Sequence, residues 1–116
     1  MKDTILAKEL LNAVYDEDTQ GVLSALNQGA NPSWIFNGYP ILIHAVHLQN
    51  HAIVMLLIKS GATQVSEALG FALEHGIWEL VWPLAYLGVV PKAVDANHQF
   101  GEFPNRFAPT SLALHH

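Results

Sequence analysis

Three histidines lie close together in the segment ILIHAVHLQNH, at His44, His47 and His51. Steps of three and four residues place side chains on one face of an α-helix. Imidazole nitrogens at this spacing are common zinc ligands, so the segment raises the hypothesis of a metal or small-ligand site. The first question is whether enough ligands converge there.

A structural zinc site needs four protein ligands and a catalytic one needs three. The polar break at Gln49–Asn50 should end the first helix of this region, so we expect His51 to belong to the next element. Two histidines then remain on one face, with Glu74 or His75 as candidate ligands from a neighbouring element. We therefore predict no metal site and no cofactor, and keep a metal or small-ligand binder as an alternative function.

Residues for covalent catalysis are poorly placed in this sequence. The chain has no cysteine, so a nucleophile would have to be a serine or threonine beside a histidine and an acid. No G-x-S-x-G elbow or phosphate-binding glycine loop occurs, and the consecutive Asp16, Glu17 and Asp18 read as a solvated corner between helices. The prediction is a protein that is not an enzyme.

Composition restricts the partners. The 116 residues include 5 basic and 10 acidic side chains, for a net charge of −5, without a cluster of lysines and arginines. A nucleic-acid binder would need such a cluster, so we expect none. The longest apolar runs, such as IVMLLI, are far shorter than the roughly 20 residues of a membrane span, and the N-terminus does not read as a signal peptide. The expected location is the cytoplasm.

The elements that position these residues recur along the chain. NQGANP and KSGATQ share a Gly-Ala pair, in which Gly29 corresponds to Gly61. A third copy follows at a somewhat shorter offset, with Gly61 corresponding to Gly88. Matching positions of the three copies include Ala13, Ala45 and Ala72, and Val22, Val54 and Val81. The sequence predicts repeats at about 5–32, 33–64 and 65–90 within one domain (1–90), and a tail (91–116) that packs on the last repeat.

Each copy has the pattern of two short helices. The first helices are predicted at Leu10–Asp16, Ile41–Leu48 and Ala68–His75, and each is followed by a polar or glycine break. Helices of this length are marginal alone and need stacked neighbours. The expected fold class is therefore all-α, with the helix pairs stacked on one another as in a solenoid.

The chain resembles the ankyrin repeat family over about residues 5 to 90. GYPILIHAVHLQNHAIVMLLIKSGAT aligns without gaps to that family's pattern, although its Thr-Pro-Leu-His turn is absent as such. The resemblance implies an α-solenoid of about three helix-turn-helix repeats, with one hairpin-like loop, that binds another protein. It also implies a concave face lined by the first helix of each repeat. Mapped onto this sequence, that face consists of Asn12, Tyr15, Asp16, His44, His47, Leu48, Phe71, Glu74 and His75.

Trp34, Phe36 and Tyr39 surround the turn dipeptide Asn37-Gly38 in the loop before the second repeat. They either fold back onto the first helices or form an exposed aromatic finger, since Trp and Tyr dominate interface hot spots. We expect one of them to anchor the loop and another to face outward, and we assign all three to the partner-binding surface.

The last predicted helix carries Trp78 and Trp82 and has almost no polar face, which predicts burial on all sides. Phe100, Phe103 and Phe107 of the tail are the expected cover. The alternative is an exposed apolar docking surface. The chain would form homo-oligomers if Trp78, Trp82 and the tail phenylalanines met their counterparts in other copies.

Together these observations predict a non-enzymatic protein-binding module that acts as an inhibitor, an immunity-type protein or an adaptor. The alternatives are the metal or small-ligand binder and the self-assembling protein.

Overall fold

The computed structural model describes residues 2–92, and their fold is helical, as the sequence predicts. Six α-helices form three consecutive pairs: α1 (Lys2–Tyr15) with α2 (Thr19–Asn27), α3 (Ile41–His47) with α4 (His51–Lys59), and α5 (Val65–Glu74) with α6 (Trp78–Ala85). A two-stranded hairpin, β1 (Ile35–Phe36) and β2 (Tyr39–Pro40), precedes α3. Among these described residues, no helix has the length and apolar character needed to cross a membrane.

The turn inside each helix pair has the same geometry three times. One residue per turn has a positive φ: Glu17 at 55°, Gln49 at 61° and Gly76 at 65°. The amide of the following residue then donates back to an alanine carbonyl, from Asp18 to Ala13, from Asn50 to Ala45 and from Ile77 to Ala72. These are the alanines that match one another in the three copies of the sequence. The repeat therefore exists in the backbone as well as in the residue pattern.

The second helices of the first two pairs begin with side-chain caps. Asp18 accepts a hydrogen bond from the Gly21 amide at 3.1 Å, and Asn50 accepts one from the Ile53 amide at 3.0 Å. Such a bond satisfies one of the amides that the first turn of a helix leaves without a partner. Asp18, expected only as part of a solvated corner, thus fixes where α2 begins.

The Gly-Ala pairs end the second helices. Gly29 and Gly61 have φ values of 105° and 106°, a left-handed conformation that glycine adopts without steric cost. The next residues, Ala30 and Ala62, are buried, and their amides donate to Ala25 and Leu57 at 3.0 Å. This is the expected closure of a helix C-terminus.

The hairpin uses the two-residue turn that its sequence indicates. Asn37 and Gly38 both have positive φ, at 52° and 81°, which defines the type I′ turn preferred between antiparallel strands. Phe36 pairs with Tyr39, and Ile35 with Pro40.

The first helices pack in a row, with α3 between α1 and α5 and α4 behind it. Every residue from Ile41 to Leu48 is buried as a result. A helix with neighbours on both sides has no solvent-facing stripe. The helix that is buried all round is therefore α3, and the prediction of such burial for α6 is wrong.

After α6 the chain returns to α5. The Lys92 amide donates to the Ser66 carbonyl at 3.0 Å, and the Lys92 side chain lies 3.5 Å from Glu67. The Lys92 backbone passes so close to Gly70 that a Cβ there would collide with the Lys92 carbonyl. The predicted cover for Trp78 and Trp82, Phe100, Phe103 and Phe107, lies outside the described residues.

Candidate functional site

Four of the residues predicted to line an open concave face are buried: His44, His47, Leu48 and Phe71. His44 is only 1% exposed. The reason is the row of first helices, because α1 and α5 cover the two sides of α3 that periodicity assigned to solvent. The prediction that these four side chains face a groove is wrong, and their roles are within the fold.

His44 joins three elements through hydrogen bonds. Its Nε2 lies 3.0 Å from the Phe36 carbonyl oxygen, and its Nδ1 lies 2.6 Å from the Tyr15 hydroxyl. A carbonyl oxygen can only accept, so Nε2 carries the proton and Nδ1 accepts from Tyr15. The neutral imidazole therefore ties the hairpin and α1 to α3.

Aromatic rings surround the same imidazole. The rings of Tyr15, Phe36 and Tyr39 have centroids 5.6, 6.5 and 6.2 Å from that of His44, all in edge-to-face arrangements. Trp34 packs on Phe36 at 6.4 Å. The loop aromatics are thus half-buried against His44, and the outward-facing side chain of the hairpin is Ile35, which the sequence analysis did not single out.

Burial lowers the pKa of His44 from its ordinary value, because the charged imidazolium would lose its hydration. Hydrogen bonds to the backbone of Phe36 and Tyr39 oppose part of this effect. The lowered pKa agrees with the neutral form that the hydrogen bonds require.

A second cluster connects α3 with α5. The rings of His47 and Phe71 lie 6.4 Å apart edge to face, and His75 stacks on Phe71 at 4.1 Å. Partial burial lowers the pKa of His75, while the nearby Glu74 carboxylate acts in the opposite direction. His75 and Glu74 remain exposed and form the accessible edge of this cluster.

Asn12 and Asp16 are exposed on α1 and just after it, where they line an open groove of about 330 Å³ between α1 and α2. Asp18, Ser24 and Gln28 line it as well, so its walls are largely polar. An enclosed ligand site is usually concave and mostly apolar. The groove between α1 and α2 is open and largely polar, so it does not resemble an enclosed ligand site.

The described part of the chain contains no group of three or more His, Asp or Glu side chains placed to hold a metal ion. Both ring nitrogens of His44 are engaged within the protein, and His51 starts α4, as the polar break predicted. The metal-binding alternative gains no support from this geometry.

Among residues 2–92, the most prominent exposed feature is an aromatic stripe on α6, formed by Trp78, Trp82 and Tyr86. Their exposed fractions are 59%, 72% and 93%. The four-residue spacing aligns them on one side of the helix, and Tyr86 keeps helical backbone angles at its C-cap. Leu80, Val81 and Leu84 form the buried side. Tyr86 was missed in the sequence, although its spacing from Trp82 repeats the one that singled out the tryptophans.

The equivalent positions of the other repeats show that the fold does not require aromatic residues there. The repeat offsets align the aromatic stripe with partly or fully exposed positions of α4 and α2: His51, Met55 and Lys59, and Thr19, Leu23 and Asn27. The first and last position of each set is polar. Only α6 replaces all three by large aromatic side chains on an outward face.

The chain matches no protein-family model, and comparisons with curated proteins and with solved structures also give no significant match.

Proposed function

We propose that the chain is a small ankyrin-type, non-enzymatic protein-binding module whose main interaction surface is the aromatic stripe of α6. The observation that carries the proposal is the alignment of Trp78, Trp82 and Tyr86, each more than half exposed, on one side of a packed helix. Large aromatic side chains are the residues that most often dominate the free energy of protein association.

The ankyrin-type assignment is supported by the geometry that recurs in the helix pairs. Three backbone features follow the same offsets as the residue pattern. They are the positive-φ turns, the Gly-Ala closures, and the amide bonds to Ala13, Ala45 and Ala72. A hairpin before α3 agrees with this type of solenoid. Repeat folds of this kind present extended surfaces for other proteins.

The size of the exposed aromatic area supports binding over a purely structural role. Aromatic side chains bury about 150–250 Å² each when covered, so the exposed parts of the three stripe residues amount to roughly 500 Å². The largest apolar patch on an ordinary monomer is roughly 300–600 Å² and is often functional. Leu80, Val81 and Leu84 on the opposite side of α6 already pack the helix into the core.

By occupying a partner surface, the module would act as an inhibitor, an immunity-type protein or an adaptor. The face formed by the first helices contributes less to partner binding than the sequence suggested, since its large side chains are buried. Glu74 and His75 remain accessible on this face and form a second candidate surface, because both side chains are exposed beside the Phe71 cluster.

Affinity capture from an extract of the source cells tests the proposal. The full chain is compared with Trp82→Glu, with His75→Ala, and with Ile5→Glu as a control, since Ile5 is 58% exposed on α1. We expect the wild type, His75→Ala and Ile5→Glu to retain the same protein and Trp82→Glu to lose it. Loss with His75→Ala alone would move binding to the first-helix face, and equal capture by all variants would overturn both surfaces.

A further inference from the structure

We propose that the protein bound by the aromatic stripe is a second copy of this chain, in a two-fold symmetric dimer with α6 packed antiparallel against its counterpart. This inference rests on the proposed binding function and specifies its partner. Most soluble oligomers are symmetric homo-oligomers, and a two-fold interface joins the same patch of both copies.

The aromatic stripe is complementary to itself. Its three residues are spaced evenly about Trp82, with Trp78 one helical turn before it and Tyr86 one turn after it. A two-fold axis at Trp82 places the two Trp82 side chains together and brings Trp78 of each copy opposite Tyr86 of the other. Every large aromatic side chain then meets another one, which is the pairing that stacked and edge-to-face contacts favour.

The charges on α6 permit this approach. Glu79 is the sole charged residue of the helix. It lies nearly one turn before Trp82, so the two Glu79 positions of an antiparallel pair are separated by about 9 Å along the helix axis. Each chain carries a net charge of −5, so the remaining repulsion is long-range and is screened by salt. Salt should therefore strengthen the dimer.

The described residues after α6 leave the aromatic stripe exposed. Lys92 is held on α5 by its amide bond to Ser66 and by the close approach at Gly70. The stripe also occupies the outward face that α2 and α4 expose at equivalent positions. The segment at Lys92 therefore covers part of α5, the last of the first helices. The outward face of α6 is open in the described part of the chain.

The area indicates a weak, concentration-dependent dimer. Two stripes bury roughly 1,000 Å² together on the per-residue scale for aromatic side chains. Stable specific interfaces start at about 1,200 Å², so association should depend strongly on protein concentration.

Sedimentation of the full chain over a wide concentration range tests the inference. We expect the wild type and Ile5→Glu to dimerise alike, and Trp82→Glu to weaken association by at least roughly 100-fold, because each dimer loses both central tryptophan side chains and gains two facing like charges. Circular dichroism verifies that the variant is folded. A wild type that stays monomeric, or a Trp82→Glu variant that dimerises normally, would overturn the inference.

Mixing Trp82→Glu with Trp82→Lys tests the symmetric register directly. Each variant alone places like charges at the two-fold axis, whereas the mixture places opposite charges there. We expect the mixture to associate more strongly than either variant alone, because opposite charges replace like charges at the axis. A mixture that associates no more strongly than the separate samples contradicts the antiparallel pairing.

Acrylamide quenching of tryptophan fluorescence in a Trp34→Phe background, which leaves Trp78 and Trp82 as the fluorescent tryptophans, separates this inference from the proposed function. Shielding of Trp78 and Trp82 that grows with protein concentration supports the dimer. A monomer with freely quenched tryptophans overturns the second copy as partner and leaves the binding function in place. A monomer whose tryptophans are shielded at every concentration shows that the chain covers its own stripe, which overturns both.

Discussion

The Tyr15 hydroxyl donates a hydrogen bond to Nδ1 of His44 at 2.6 Å and thereby joins α1 to α3 across a long stretch of sequence. The opposite ring nitrogen donates to the Phe36 carbonyl, so one buried side chain fixes two contacts that secondary structure alone does not specify. The consequences of this arrangement can be measured.

Tyr15→Phe removes the hydroxyl and leaves the ring in place. Because Nδ1 of the buried His44 then loses its Tyr15 donor, we expect the free energy of unfolding to fall by about 1–3 kcal/mol in urea denaturation. Tyr86→Phe is the matched control, since Tyr86 is almost fully exposed, and should change stability by less than about 0.5 kcal/mol. Equal effects of the two substitutions would contradict the role assigned to the Tyr15–His44 bond.

His44 should make stability depend on pH. Burial holds its pKa in the folded protein below the ordinary value of 6.5, so the unfolded chain binds a proton that the folded protein does not take up. The contribution to stability is therefore fully present above about pH 6.5 and decreases as the pH falls below it, by at most about 1.4 kcal/mol per pH unit.

Urea denaturation between pH 5 and pH 8 measures this slope. His44→Gln keeps a hydrogen-bond donor and an acceptor in the side chain but cannot titrate, so we expect a flatter pH dependence below about pH 6.5 than in the wild type. His75 adds a change with the same sign, because its pKa is lowered too. Identical slopes for wild type and variant would exclude His44 as the titrating group.

Gly70→Ala should destabilise the protein although alanine favours helices. In an open helix the substitution would stabilise by about 1 kcal/mol, but here the new Cβ collides with the Lys92 carbonyl. We expect the segment at Lys92 to detach from α5, with faster hydrogen exchange at the Lys92 amide. Lys92→Ala is the control, because the bond to Ser66 uses the backbone and should persist. A protected Lys92 amide in Gly70→Ala would refute the close packing.

Asn50 has two separable functions. Its side-chain oxygen caps α4 at Ile53, and its amide nitrogen donates to Glu17 at 3.0 Å in the preceding repeat. Asn50→Ala should lower the free energy of unfolding by about 0.5–2 kcal/mol, whereas Asn50→Ser should retain most of the stability because serine also caps helices. If Asn50→Ala and Asn50→Ser lost comparable stability in thermal or urea denaturation, the effect would be assigned to the Glu17 contact.

Features set by local chemistry could be predicted from the sequence. The Gly-Ala closures and the Asn37-Gly38 turn require particular backbone angles, so the residues themselves reveal them. The matching of Ala13, Ala45 and Ala72 likewise located the repeating turns. By contrast, the length of α1, which begins at Lys2, was underestimated because its first turns carry mixed polar and apolar residues.

The candidate site depended on packing between elements, which a periodic pattern does not encode. His44 looked solvent-facing because a histidine is polar, yet α1 and the hairpin enclose it. Trp78 and Trp82 looked buried because they are apolar, yet Leu80, Val81 and Leu84 fill the packed side of α6. Residue type predicted burial wrongly wherever a polar side chain found internal partners or an apolar one was left outside the core.

The complete burial of α3 has a consequence for how this protein unfolds. In a long repeat array, terminal repeats can fray while the centre persists. Here the central helix relies on α1 at one side and α5 at the other, so loss of either terminal pair exposes an apolar surface of α3 to water. The three repeats should therefore melt in one cooperative transition and share a single stability, with no repeat that can be removed on its own.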